Sequence, residues 1–144
     1  MRDDELNARI LLSRCLLDQG KMEQANAALD EIRKDVSHNQ NPVNRLLFSI
    51  ADARIQASGA TSSRSSSRTE LHRSIREAGS LGLLPLQLEA QLALGEIELS
   101  ESPAAGRNDL ESLESRAHAH GFDLIAQRAA ALRTGRNGLP GANR

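Results

Sequence analysis

Residues able to do chemistry are few in this chain. His118 and His120 stand two apart, which on a helix of 3.6 residues per turn points their rings roughly 200° from each other. They are not a chelating pair, and they read as solvent-exposed histidines favoured by the dipole at a helix C-terminus. Cys15 is the one cysteine, so no internal disulfide forms. With no histidine beside it, it reads as a small packed apolar residue rather than a reactive thiol. A glycine-rich phosphate loop, Gly-x-Ser-x-Gly, His-Glu-x-x-His and paired cysteines are all missing from the sequence. No catalytic residue, metal ligand or cofactor site is therefore assigned, and an enzymatic reading rests on no positive feature.

Two charged regions remain. Glu89, Glu96, Glu98, Glu101, Asp109, Glu111 and Glu114 form an acidic stretch with Arg107 as its sole basic residue between Glu89 and Glu114. Ordinary solvated charge accounts for most of it, although Glu89 and Glu96, seven apart, share one side of a helix. The stretch from Thr61 to Arg68, followed by Arg73 and Arg76, is locally basic and rich in serine. It reads as a flexible insertion, because lengthening a surface loop costs little. The functional alternative is a phosphorylation site or an anion contact at the start of the next helix.

The elements that position these residues follow from composition and punctuation. The chain has 144 residues, 39% of them hydrophobic and 26% charged, enough apolar material to bury a core. Leu and Ala number 22 and 20, against 12 for Val, Ile and Thr together, which favours helix over sheet. Aromatics are 1% and the net charge is -1, so neither base stacking nor a global field toward nucleic acid is expected. No apolar run reaches the length of a membrane helix, and the acidic start is unlike a signal peptide; a cytoplasmic, membrane-free protein is expected.

Ala8, Leu11, Leu12, Cys15 and Leu16 recur at spacings of three and four and predict a first amphipathic helix over 4–18, closed by Gly20. Met22, Ala25, Leu29, Ile32 and Val36 predict a second. Asn41-Pro42 starts a third, because Asn caps and Pro fits the first helical turn. Ser67-Arg68-Thr69-Glu70 has the form of a capping box and predicts a fourth helix beginning near Ser67, with Gly79 and Gly82 fraying its end. Pro85 opens a fifth, apolar on several sides and so packed on two. Ser102-Pro103 opens a sixth, and 123–134 forms a seventh. Residues 135–144 are expected to be a flexible tail. The fold class is thus all-α, with hairpins at about 4–37, 42–81 and 85–120 and an extra helix at 123–134.

The hairpins repeat. At an offset of 39, Ala8, Leu11, Leu12, Leu16 and Gly20 fall on Leu47, Ile50, Ala51, Ile55 and Gly59; at 82, Ala8, Leu11, Leu12 and Cys15 fall on Ala90, Ala93, Leu94 and Ile97. Leu12, Leu16, Gly20, Ala25, Leu29 and Ile32 resemble the spacing of the tetratricopeptide repeat (TPR) family from inner helix through turn glycine to outer helix. The segment 83–125 is also similar to the C-terminal TPR-like regions of large bacterial regulators. The resemblance implies a short α-solenoid over 3–134 without catalysis, whose inner helices line a concave surface for a partner protein or peptide. It places Asn7, Arg14 and Asp18 of the first helix, Ser49 and Gln56 of the third, and Glu89 and Glu96 of the fifth on that surface, with Ile10, Leu92 and Leu99 supplying apolar contacts. An acidic groove end prefers a basic or amide-rich peptide. The rival reading is a homo-oligomerisation module of a larger regulator.

Overall fold

The computed structural model describes residues 1–59 and 61–135. Seven helices and no strand are found among them: α1 (Asp3–Asp18), α2 (Met22–His38), α3 (Pro42–Ala57), α4 (Thr61–Ser80), α5 (Leu84–Glu101), α6 (Pro103–Ala119) and α7 (Asp123–Arg133). The expected tail lies, beyond Gly135, outside the described residues. The chain divides into two compact units, Met1–Ser74 and the part from Ile75 onward, and the division falls inside α4.

Local chemistry sets several helix ends. The Asn41 side chain accepts the Val43 N–H at 3.0 Å, and Pro42 takes the first position of α3. After α1, Gly20 enters the left-handed region at φ 77°, so the Lys21 N–H reaches the Leu16 carbonyl at 2.9 Å and the Gly20 N–H the Leu17 carbonyl at 3.0 Å. This pair of bonds is the Schellman closure, which satisfies carbonyls the helix leaves open. The same pair recurs after α4 at Gly82 and after α6 at Gly121. Gly82 therefore terminates α4 cleanly instead of fraying it, and Gly79 lies within the helix.

In the first unit, cross-helix bonds fix directions. Arg9 meets Glu31 at 3.5 Å and Ser13 Oγ donates to the Ala25 carbonyl at 2.9 Å, so α1 and α2 are antiparallel. Asn7 donates to Asn44 at 3.1 Å and Arg54 to Asp18 at 3.2 Å, so α1 and α3 run parallel. The core is built by Leu6, Ile10 and Leu17 with Leu29, Ile32, Leu46, Ile50 and Leu71. In the second unit, Leu88, Leu110, Leu113, Ala117, Ile125, Ala126 and Ala129 form one cluster. There, Arg116 donates to Gln91 at 3.0 Å and Arg133 to Glu114 at 2.9 Å. As expected, α5 is buried on more than one side, through Leu86, Leu88, Ala90, Ala93, Leu94 and Ile97.

Two further sequence expectations, on α1 and α4, are overturned. The stripe Ala8, Leu11, Leu12, Cys15 is not the buried face of α1: all four are exposed, and Leu6, Ile10, Ser13 and Leu17 face inward. Ser13 disguises the true stripe as polar, but its hydroxyl is satisfied by the Ala25 carbonyl, so burying it carries little penalty. The serine-rich stretch is helix rather than loop, since α4 already begins at Thr61. Ser67 is not a cap but an interior residue, 2% exposed, whose hydroxyl donates back to the Ser63 carbonyl at 2.9 Å; Thr69 does the same to Ser65 at 3.2 Å. Hydroxyls bonded one turn back compete less with the helix than serine's loop-forming habit implies, and Leu71, Ser74 and Ala78 continue the buried face.

Candidate functional site

A cleft of about 540 Å³ opens in the first unit between α3 and α4, within the range of ligand sites. The side of α3 facing it follows from burial elsewhere. Asn44, Leu46, Leu47, Phe48, Ile50, Ala51, Ala53 and Ile55 are all buried, which leaves Ser49, Asp52 and Gln56, spaced three and four apart, as its polar edge. Opposite, α4 contributes Ser62, Ser63, Ser66, Ser67 and Glu70. These too recur at three and four, a helical stripe of polar residues whose period is present in the sequence but hidden by its serine-rich composition.

Charge in the cleft is of two kinds. Asp52 is held by Arg33 of α2 through both carboxylate oxygens, at 3.0 and 3.4 Å, and the same guanidinium reaches Asp30 at 2.9 Å and lies 5.2 Å from the centre of the Phe48 ring. The hydrogen bonds that Arg33 donates to Asp52, then those to Asp30, hold its pKa above the ordinary value, and this corner of the cleft is an ion pair. Among the described residues Glu70 pairs along its own helix, with Arg73 at 3.2 Å, and the Arg73 side chain is 66% exposed. Such an exposed pair is weak and exchangeable. Glu70 is thus the carboxylate able to accept an incoming cation. No histidine, cysteine or lysine is among the described residues that line the cleft. What it offers is hydrogen bonding: the Ser62, Ser63 and Ser66 hydroxyls of α4, the Ser49 hydroxyl and the Gln56 amide.

The residues expected on one concave surface are distributed differently. Asn7 and Asp18 are bonded to Asn44 and Arg54 along the α1–α3 seam, with Arg14 half-buried on the same side of α1. Ser49 and Gln56 stand about 140–160° around α3 from Arg54 by the helical period, and they line the cleft instead. Ile10 is 0% exposed and belongs to the core, so its side chain has no surface to present to a partner. In the second unit Glu96 is exposed and Glu89 half-buried. Leu92 and Leu99 are half-buried against that unit's core cluster, which absorbs much of their apolar surface.

The other candidates are peripheral. His118 and His120 are exposed, with His118 Nδ1 at 3.2 Å from Asp123 Oδ1. Cys15 is exposed rather than packed. Among the described residues, no three His, Cys, Asp or Glu are placed to hold a metal ion, and no helix is long and apolar enough to cross a membrane. No family model, curated protein or solved structure matches the chain.

Proposed function

We propose that this chain is a non-catalytic, TPR-like interaction module that holds an extended, basic or amide-rich peptide of a partner protein. The observation that carries the reading is the α3–α4 cleft: it runs along two helix flanks, is lined by hydroxyls and an amide, and carries one exchangeable carboxylate, Glu70. Peptide backbone groups and amide side chains need such donors and acceptors, and a Lys or Arg side chain replaces Arg73 on Glu70. The repeat character is supported by α1 and α3 running parallel with α2 antiparallel to α1, the relation expected of equivalent helices in stacked hairpins. On this reading the helices continue as a short α-solenoid of a cytoplasmic adaptor or bacterial regulator, and the bound segment lies in the cleft, where Ser49 and Gln56 serve as contacts.

The test is selection of a random-peptide display library on the immobilised protein. Binders enriched in Lys, Arg, Asn and Gln are expected, and capture should fall for Glu70→Lys and Gln56→Ala while the helical circular dichroism is retained. The Glu70→Lys effect should be larger at low salt, where the charge is unscreened. Failure to enrich any sequence, or binders indifferent to both substitutions, would overturn the reading.

A further inference from the structure

Helix α1 carries two apolar stripes, and the core uses one. Opposite Leu6, Ile10 and Leu17 stand Ala8, Leu11, Leu12 and Cys15, with Leu11 44% and Leu12 55% exposed. At 100° per residue these four span about 100° of the helix, and no charged side chain interrupts them over two turns. Glu5, Arg9, Arg14 and Asp18 fall on the flanks. An exposed apolar strip on an otherwise charged helix costs solubility unless something covers it.

The strip also has an internal symmetry: small, Leu, Leu, small at positions 8, 11, 12 and 15. An isologous interface requires one patch to complement itself, and a palindromic strip does so when two helices meet antiparallel. We infer that Ala8, Leu11, Leu12 and Cys15 form the contact surface for a second copy of this chain, with the two α1 helices antiparallel about a two-fold axis between Leu11 and Leu12. Ala8 then lies against the copy's Cys15, small on small, which lets the helices approach closely, and the four leucines close around the axis. The ends complement each other in charge. The first turn of α1 is acidic, with Asp3, Asp4 and Glu5, and Lys21 stands exposed just past its C-terminus; antiparallel pairing brings Asp4 level with the copy's Gln19, within a turn of its Lys21. Glu5 and the copy's Asp18 are level but on opposite sides of the seam, so like charges do not meet. Macrodipoles of antiparallel neighbours also oppose favourably. This inference is independent of the peptide reading, because the strip and the cleft lie on different helices.

Sedimentation equilibrium at about 100 µM, where a micromolar complex is saturated, should show a dimer. Leu12→Glu should raise the dissociation constant by roughly 100-fold or more, since it forces carboxylates into an apolar seam, and both forms should keep the same helical spectrum because Leu12 is exposed. Geometry is read separately from Ala8→Cys under mild oxidation. Positions 8 and 15 of one helix are about 10 Å apart along its axis, too far for an internal disulfide, so an intermolecular 8-to-15 linkage, identified by mass spectrometry, is expected at high yield. A monomer at this concentration, a dimer unaffected by Leu12→Glu, or rapid Cys15-to-Cys15 linkage in the unsubstituted protein would each overturn the inference.

Discussion

Replacing Gly106 by alanine tests the close approach of α5 and α6. Gly106 lies in the first turns of α6, buried, and a methyl group built on it falls 2.5 Å from both the Cα and the N of Leu99 and 3.0 Å from the Glu98 carbonyl carbon. These are backbone atoms of α5 and no side-chain rotation relieves them, so the helices must separate. Alanine gains about 1 kcal/mol over glycine in a helix interior, whereas overpacking a fitted interface costs about 1–3 kcal/mol and sometimes more. With contacts this short the upper part of that range applies, and the net loss is about 1–2 kcal/mol. For a chain of this size that lowers Tm by roughly 2–8 °C. Gly79→Ala provides the opposite case in the same unit. There the new methyl meets the Gln87 side chain, its amide nitrogen at 2.8 Å and Cδ at 3.5 Å, the far end of a flexible chain that swings away. The propensity gain survives, and up to about 1 kcal/mol of stabilisation is expected. Thermal and urea melts of the two variants, followed by helical circular dichroism, should move in opposite directions. Gly106→Ala at or above wild-type stability would refute the described packing of α6 on α5.

Ser65→Pro should cost about 3 kcal/mol or more, because α4 runs through this position and proline removes a helical hydrogen bond and clashes with the preceding turn; urea melts showing no loss would restore the flexible-loop reading. Asp3 accepts bonds from Asn39 at 2.8 Å and Asn41 at 3.0 Å, and these, Asn39 first, hold its pKa below the usual carboxylate value. A depressed folded pKa means a contribution present above the unfolded value and lost as pH falls through the folded one. Wild type should therefore exceed Asp3→Asn in stability at neutral pH, with the difference fading below about pH 4; a pH-independent gap in the melts of the two proteins would contradict this.

The candidate site was half legible. The repeat likeness names Ser49 and Gln56, and both line the cleft, with α4 rather than α1 opposite. In the sequence Glu70 stands out only as part of a capping box, because a run of serine with no apolar period reads as loop. Its helicity goes with the burial of Leu71 and Ser74, which a pattern along one segment does not reveal, while the Ser67 hydroxyl is satisfied one turn back. The helical period ranks Leu11 and Leu12 as core and leaves Ile10 among the contact residues, whereas Ile10 is buried and the two leucines are exposed.

What the sequence alone determined is the set of elements and most of their ends. Asn41-Pro42, Pro103, and the glycines at 20, 82 and 121 act through dihedral preferences and hydrogen bonds spanning about five residues, so no distant partner is needed to read them. Tertiary structure decided which face of each helix is inside. On α1, two stripes of comparable apolarity compete, one interrupted by Ser13 and the other by nothing, and helical period ranks the wrong one first. The choice is settled by what faces it: the Ala25 carbonyl receives the Ser13 hydroxyl, and Asn7 and Asp18 find Asn44 and Arg54. Burial is a property of pairs of surfaces, and a pattern along one helix describes only one member of the pair.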